Sequence, residues 1–187
     1  RSPRSRPCLW QRSSFFTSGC VAHVSMADPV CPRLSEMAAK AVSAATGKVA
    51  TGATYLAMEG PQFSTRAESH MYRAWGADII GMTAMPEAKL AREAELPYAL
   101  IGMATDYDCW HEEEEAVDVA AVLEQMKANG ELARKAVLNF IKGLPKTRKA
   151  SSIDTCLDTA IITSPSERDP ALLAKLDAVA GRVLNAI

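Results

Sequence analysis

Three short apolar runs, each ending in polar or aromatic residues and separated by segments of helical spacing, restrict this chain's fold more than any other feature. They are residues 54–58 (TYLAM), 78–82 (DIIGM) and 98–104 (YALIGMA), and each has the length and composition of a buried strand. Between the first two, Thr65 and Glu68 stand at capping-box spacing and open a helix that stops at Gly76. Between the second and third, Pro86 suits the first turn of a helix, PEAKLAREAE. Upstream, residues 20–25 (CVAHVS) read as a strand. Residues 34–45 read as a helix, with Met37, Ala38, Ala41 and Val42 on one face and Gly47 near its end. Downstream, a long helix is predicted from about residue 116 to 142, a last strand over 159–163 (TAIIT) and a last helix over 170–186. Residues 146–152 are the one linker-like stretch. Strands alternating with helices predict an α/β fold, a mixed, largely parallel sheet flanked by helices.

Composition narrows the partners. Hydrophobic residues make up 48% of the 187 and charged residues 23%, which suits a packed domain and argues against disorder. Lys and Arg number 21 against 22 Asp and Glu. That near balance offers no global field for nucleic acid or an anionic membrane. The five cysteines (Cys8, Cys20, Cys31, Cys109, Cys156) are odd in number and form no CxxC pair. They make a poor disulfide framework and a poor zinc site, so a reducing cytoplasm is expected. Residue 1 is Arg and the first methionine is Met26. The sequence is therefore expected to start inside a longer protein, with residues 1–11 a divergent, disordered arm and residues 12–187 one domain.

In a parallel α/β sheet, ligands bind beyond the carboxyl ends of the strands. The chemically distinctive residues fall there. TYLAM runs into Glu59-Gly60-Pro61-Gln62-Phe63-Ser64, DIIGM into Thr83, and YALIGMA into Thr105-Asp106-Tyr107-Asp108-Cys109-Trp110. Phe63 offers a flat face for stacking a heteroaromatic ring. Asp106 and Asp108 can accept hydrogen bonds from ring or exocyclic N–H groups, or donate a proton to a ring nitrogen. Each residue alone also has a plain structural reading: a core aromatic, a solvated loop, a helix cap for Ser64 and Thr65. Their joint placement at strand ends favours a site. Glu112 to Glu115 with His111 read as the acidic first turn of a helix rather than as a metal cluster.

The runs EGPQFSTRAESHMYRAWGADIIGMTAMPEAKLAREAE and ATDYDCWHEEEEAV, with SSFFTSGCVAHVSMADPVCPR upstream, closely resemble the S-methyl-5'-thioadenosine phosphorylases of the trimeric purine nucleoside phosphorylase family. The resemblance runs from about Arg12 to the C-terminus and weakens after Lys142. It implies a nucleoside phosphorylase-like fold and phosphorolysis of a purine nucleoside, releasing adenine and 5-methylthioribose 1-phosphate. It further implies a homotrimer, no cofactor, and inorganic phosphate as co-substrate. By this resemblance Phe63 stacks on the purine, and Asp106 and Asp108, with Tyr107 between them, hold its N7 and 6-amino edge as the catalytic pair. Met82 meets the ribose, Thr83 reaches phosphate, and His23 lies near the sugar's 5' end. Val119, Val122 and Leu123 line an apolar slot for the methylthio group, and Ser64 and Val119 set the nucleoside preference. A thioether suits such a slot, and 119, 122 and 123 share one helical face.

The family's N-terminal part, with its glycine-containing phosphate loop and its Arg-His pair, has no counterpart in these residues. The chain is thus expected to be truncated at its N-terminus. Three readings stay open: a methylthioadenosine phosphorylase or a large piece of one, a phosphorylase of 6-oxopurine nucleosides (methylthioinosine, inosine or guanosine), and a non-catalytic fragment that binds nucleoside or joins oligomers. Gly81 leaves some room for the second. Asp106 favours adenine, because a carboxylate accepts from a 6-amino group whereas a 6-oxo group needs a donor.

Overall fold

The structure, a computed structural model, describes residues 13–111 and 119–185, with the side chains of 119–122 outside the description. The arm at 1–11, the acidic run 112–115 and Ala186 lie outside the described residues. The chain divides into two compact units, each described here by itself.

One unit comprises residues 30–84 and 99–149. Its first helix, α1 (Pro32–Thr46), starts with Pro at its first position. It ends at Gly47, whose left-handed φ of 71° lets its N–H reach the Ser43 carbonyl. β1 (Tyr55–Ala57) then leads through α2 (Arg66–Ala74) to β2 (Ile79–Gly81), and the two strands pair in parallel with Tyr55 opposite Ile79 and Ala57 opposite Gly81. A parallel pair needs such a crossover, and α2 supplies it. The hydrogen bonding extends past both ends. Thr54 accepts from the Asp78 and Ile79 N–H groups, and Met58 N–H donates to the Gly81 carbonyl (3.0 Å). The predicted capping box is present: Thr65 Oγ1 accepts from Glu68 N–H (3.3 Å), and Glu68 Oε2 accepts from Thr65 N–H (2.7 Å). α4 (Val119–Gly143) packs on α1 through small residues, with Ala38, Ala41 and Ala136 buried and Asn139 donating to the Ala41 carbonyl. Small side chains allow close helix approach.

The other unit comprises residues 85–98 and 150–185 together with the described residues up to Pro29. α3 (Ala84–Glu93) belongs to it from Met85 onward. Its core is Phe16, Cys20, Leu157, Ala160, Leu176 and Ala180. Burial pushes the Cys20 thiol up from its ordinary value. α5 (Pro170–Leu184) is opened by Asp169, whose Oδ1 accepts from Ala171 N–H (2.8 Å). Glu93, 6% exposed, accepts from the Ser14 hydroxyl (2.7 Å) and the Phe15 N–H (2.6 Å), as a buried carboxylate must.

Three expected strands take another form. Residues 20–25 and 159–163 form no strand but meet at an isolated antiparallel bridge between Ala22 and Ile161, extended by Val21 N–H donating to Thr163 Oγ1 (2.9 Å). Residues 98–104 take no regular secondary structure and have no ladder partner among the described residues. Apolar composition is necessary for a strand, but a strand exists only where a neighbour takes up its N–H and C=O groups. The helices agree with expectation to within a few residues, α3 beginning two residues before Pro86.

Candidate active site

The loop after β1 is shaped by Gly60, at φ 69°, a left-handed conformation that glycine adopts without penalty. A Cβ at Gly60 would stand 2.6 Å from Met82 Sδ. The absence of a side chain is therefore what allows the residue after β2 to pack against the loop after β1. Ser64 Oγ points back to Met58 Sδ (3.6 Å), and the Ser64 carbonyl accepts from Cys109 Sγ (3.5 Å). The loop carrying Phe63 and Ser64 is thus joined both to Met82 and to the loop of Asp106 to Trp110 within one unit.

The third loop is held in several ways. Trp110 lies beneath the Arg73 guanidinium of α2, 3.6 Å from the ring centroid. Tyr107 stacks on His111 with centroids 4.8 Å apart and meets Trp110 edge-on. From α4, Asn129 Nδ2 donates to the Ala104 carbonyl (2.8 Å), and Gln125 Nε2 donates to Asn129 Oδ1 (3.0 Å). Arg73, Cys109, Gln125 and Asn129 were not singled out from the sequence. The Gln125–Asn129 spacing of four residues on a helix was the available signal.

The carboxylates each commit one oxygen locally. Asp106 Oδ2 accepts from Thr105 Oγ1 (2.6 Å), and Asp108 Oδ1 accepts from the Cys109 N–H (2.9 Å). Among the described residues the second oxygen of each has no hydrogen-bond partner. Each retains lone pairs that can receive N–H donors. Phe63 is 84% exposed and so is not a core aromatic. Tyr107, Met82 and Leu123 are exposed as well. Thr83 is exposed and immediately precedes α3.

His23 belongs to the other unit, where its N–H donates to the Ala160 carbonyl (2.9 Å). Val119 and Val122 sit in the first turn of α4, but their side chains lie outside the description. Gly81 has its flank taken by Tyr55, whose hydroxyl stands where a Cβ would be. A surface concavity of about 330 Å³ lies between α1 and α4, lined by Met37, Lys40, Ala41, Ala44, Asn139 and Phe140 among others. None of those belongs to the strand-end loops. Among the described residues, no three His, Cys, Asp or Glu side chains are grouped to hold a metal, and no helix is long and apolar enough to cross a membrane.

A βαβ unit with an exposed aromatic on the loop after its first strand is the frame for the comparison with known proteins. The Phosphorylase superfamily profile matches residues 8–142, and the chain belongs to that family. Within it, the chain is similar to the S-methyl-5'-thioadenosine phosphorylases. It is 54% identical over 179 residues to that of Cereibacter sphaeroides, covering 92% of this chain and 60% of the relative. It is 53% identical over 177 residues to that of Bradyrhizobium diazoefficiens, covering 94% and 61%. The fold is shared with a methylthioadenosine phosphorylase from an antarctic soil metagenomic library (TM-score 0.80, 42% identity, 90% of this chain and 60% of that one). It is also shared with the Schistosoma mansoni methylthioadenosine phosphorylase in complex with adenine (TM-score 0.66, 31% identity, 76% and 57%). The chain spans about 60% of the length of these relatives.

Proposed function

We propose that the chain serves the phosphorolysis of S-methyl-5'-thioadenosine to adenine and 5-methylthioribose 1-phosphate, with phosphate as co-substrate and no cofactor. The observation that supports this reading is that the loop after β1 meets Met82 at Gly60 and the 105–110 loop through Ser64 and Cys109. These are the loops that carry Phe63, Met82, Asp106 and Asp108, in a chain 54% identical to a methylthioadenosine phosphorylase. Phe63 stacks on the purine, and the uncommitted oxygens of Asp106 and Asp108 receive or supply protons at its N7 and 6-amino edge. As the C–N bond breaks, the sugar gains oxocarbenium character and the base gains negative charge. Hydrogen bonding or protonation at N7 stabilises the leaving base. Phosphate, an anion near Thr83, attacks the anomeric carbon. Val119, Val122 and Leu123 enclose the methylthio group, Ser64 and Val119 tune that preference, and His23 serves the sugar's 5' end. The working protein is a cytoplasmic homotrimer.

Base release from methylthioadenosine and from inosine, each with phosphate, tests this reading in a protein of the relatives' full length carrying these residues. Methylthioadenosine is expected to turn over far faster. Equal rates, or a preference for inosine, would overturn the assignment of adenine.

A further inference from the structure

We infer that Asn129, oriented by Gln125, is a positioning residue for base recognition by Asp106. The inference rests on the reading of Asp106 as the group that meets the purine's 6-amino edge. Asn129 is only 8% exposed, one of three buried polar residues among those described. A buried amide needs partners at both ends, and each end here is specified. The Ala104 carbonyl only accepts, so Asn129 must present Nδ2 to it (2.8 Å). Its Oδ1 is then left for a donor, which Gln125 Nε2 provides at 3.0 Å. Ala104 closes the apolar run 99–104 and stands two residues before Asp106. That run has no ladder partner among the described residues, so a side chain holds its last carbonyl where a neighbouring strand ordinarily would. α4 also begins with Val119. The same amide therefore ties the base-reading loop to the helix assigned to the methylthio group.

Gln125 acts as the lock on the amide's direction. Glu in its place is acceptor-only and draws the Asn129 NH₂ toward itself, turning Oδ1 to face the Ala104 carbonyl, acceptor against acceptor. Lys in its place is a donor and keeps the native direction. Because Gln125 is exposed, both substitutions change hydrogen-bond polarity without removing core volume.

The test is calorimetric titration of adenine and hypoxanthine into the 187-residue chain, with thermal unfolding recorded alongside. Gln125→Glu and Asn129→Asp are expected to weaken adenine about tenfold, the scale of one lost buried hydrogen bond. Hypoxanthine, which offers no 6-amino donor, should change by less than about twofold. Gln125→Lys should keep the wild-type ratio. A structural role alone would weaken both bases alike. That result, an unchanged ratio in Gln125→Glu, or a Gln125→Lys chain behaving like Gln125→Glu overturns the inference. Asp106→Asn serves as the reference. If it leaves the ratio untouched, or if the wild-type chain does not bind adenine, the reading beneath the inference fails and the inference falls with it.

Discussion

At the scale of single residues, a hydrogen-bond donor exchanged for an acceptor changes more than most volume changes do. Asp106 can only accept from a 6-amino group when ionised, whereas Asn in its place brings an N–H to a 6-oxo group. In the full-length enzyme, Asp106→Asn is expected to lower the rate with methylthioadenosine and to raise the relative rate with inosine. The swing in the ratio of kcat/KM values should correspond to a few kcal/mol. An unchanged ratio would show that Asp106 does not read the base. Gly60 makes a different demand, on conformation rather than hydrogen bonding. Its φ of 69° costs a side-chain-bearing residue about 1–2 kcal/mol, and a Cβ would displace the Met82 thioether. Gly60→Ala should therefore lower the urea midpoint of unfolding by an amount corresponding to at least about 1 kcal/mol. A midpoint equal to the native one would mean that the loop relaxes without cost.

Elements whose instructions are local were legible in the sequence; those that depend on a distant partner were not. The box at Thr65 and Glu68 and the stop at Gly47 act within one turn and appear where they were read, whereas Pro32, which opens α1, and Asp169, which caps α5, are local signals that the reading did not use. Residues 98–104 carry the apolar run of a strand, but no sequence pattern supplies the partner that a ladder needs, and their last carbonyl goes to Asn129 instead. The same holds at the site. The residue types at the strand ends were readable, whereas Cys109 against Ser64 and Arg73 over Trp110 join positions 45 and 37 apart in sequence (109 − 64 and 110 − 73) and left no periodic trace. The local instruction at α2 also has a pH signature. Backbone and side-chain hydrogen bonds from Thr65 hold the Glu68 carboxyl below its ordinary value. A depressed folded-state value means that the cap stabilises above the ordinary carboxylate range, near 4.3, and that this contribution disappears as pH falls through the folded value. The stability difference between the native chain and Glu68→Gln should thus be present at neutral pH and shrink below about pH 4. Urea unfolding at several pH values measures it. A difference that persists unchanged at pH 3 would mean that the ionised carboxylate contributes nothing to the cap.

The molecule as a whole raises the question of what these 187 residues can do by themselves. They span about 60% of the relatives' length, and the described sheet has two strands. A short parallel pair leaves N–H and C=O groups open along its edges, which invites association with other chains. The residues proposed to bind the base belong to one unit: Phe63 is exposed, Met82 is seated on Gly60, and both carboxylates have an uncommitted oxygen. Phosphate is provided for less well. Thr83 is present, but the Arg-His pair implied by the family resemblance has no counterpart in the sequence. A dianion is held against water by positive charge and by fixed donors, and attack on the sugar requires it to be positioned. The arginines among the first twelve residues carry charge, but charge alone does not position a dianion for attack. The 187-residue chain by itself is therefore expected to bind adenine yet to release little or no base from methylthioadenosine and phosphate. Phosphorolysis by the purified chain at roughly 1 per second or faster, a rate ordinary for enzymes, would defeat this expectation. It would mean that the N-terminal arm or a second copy of the chain completes the phosphate site.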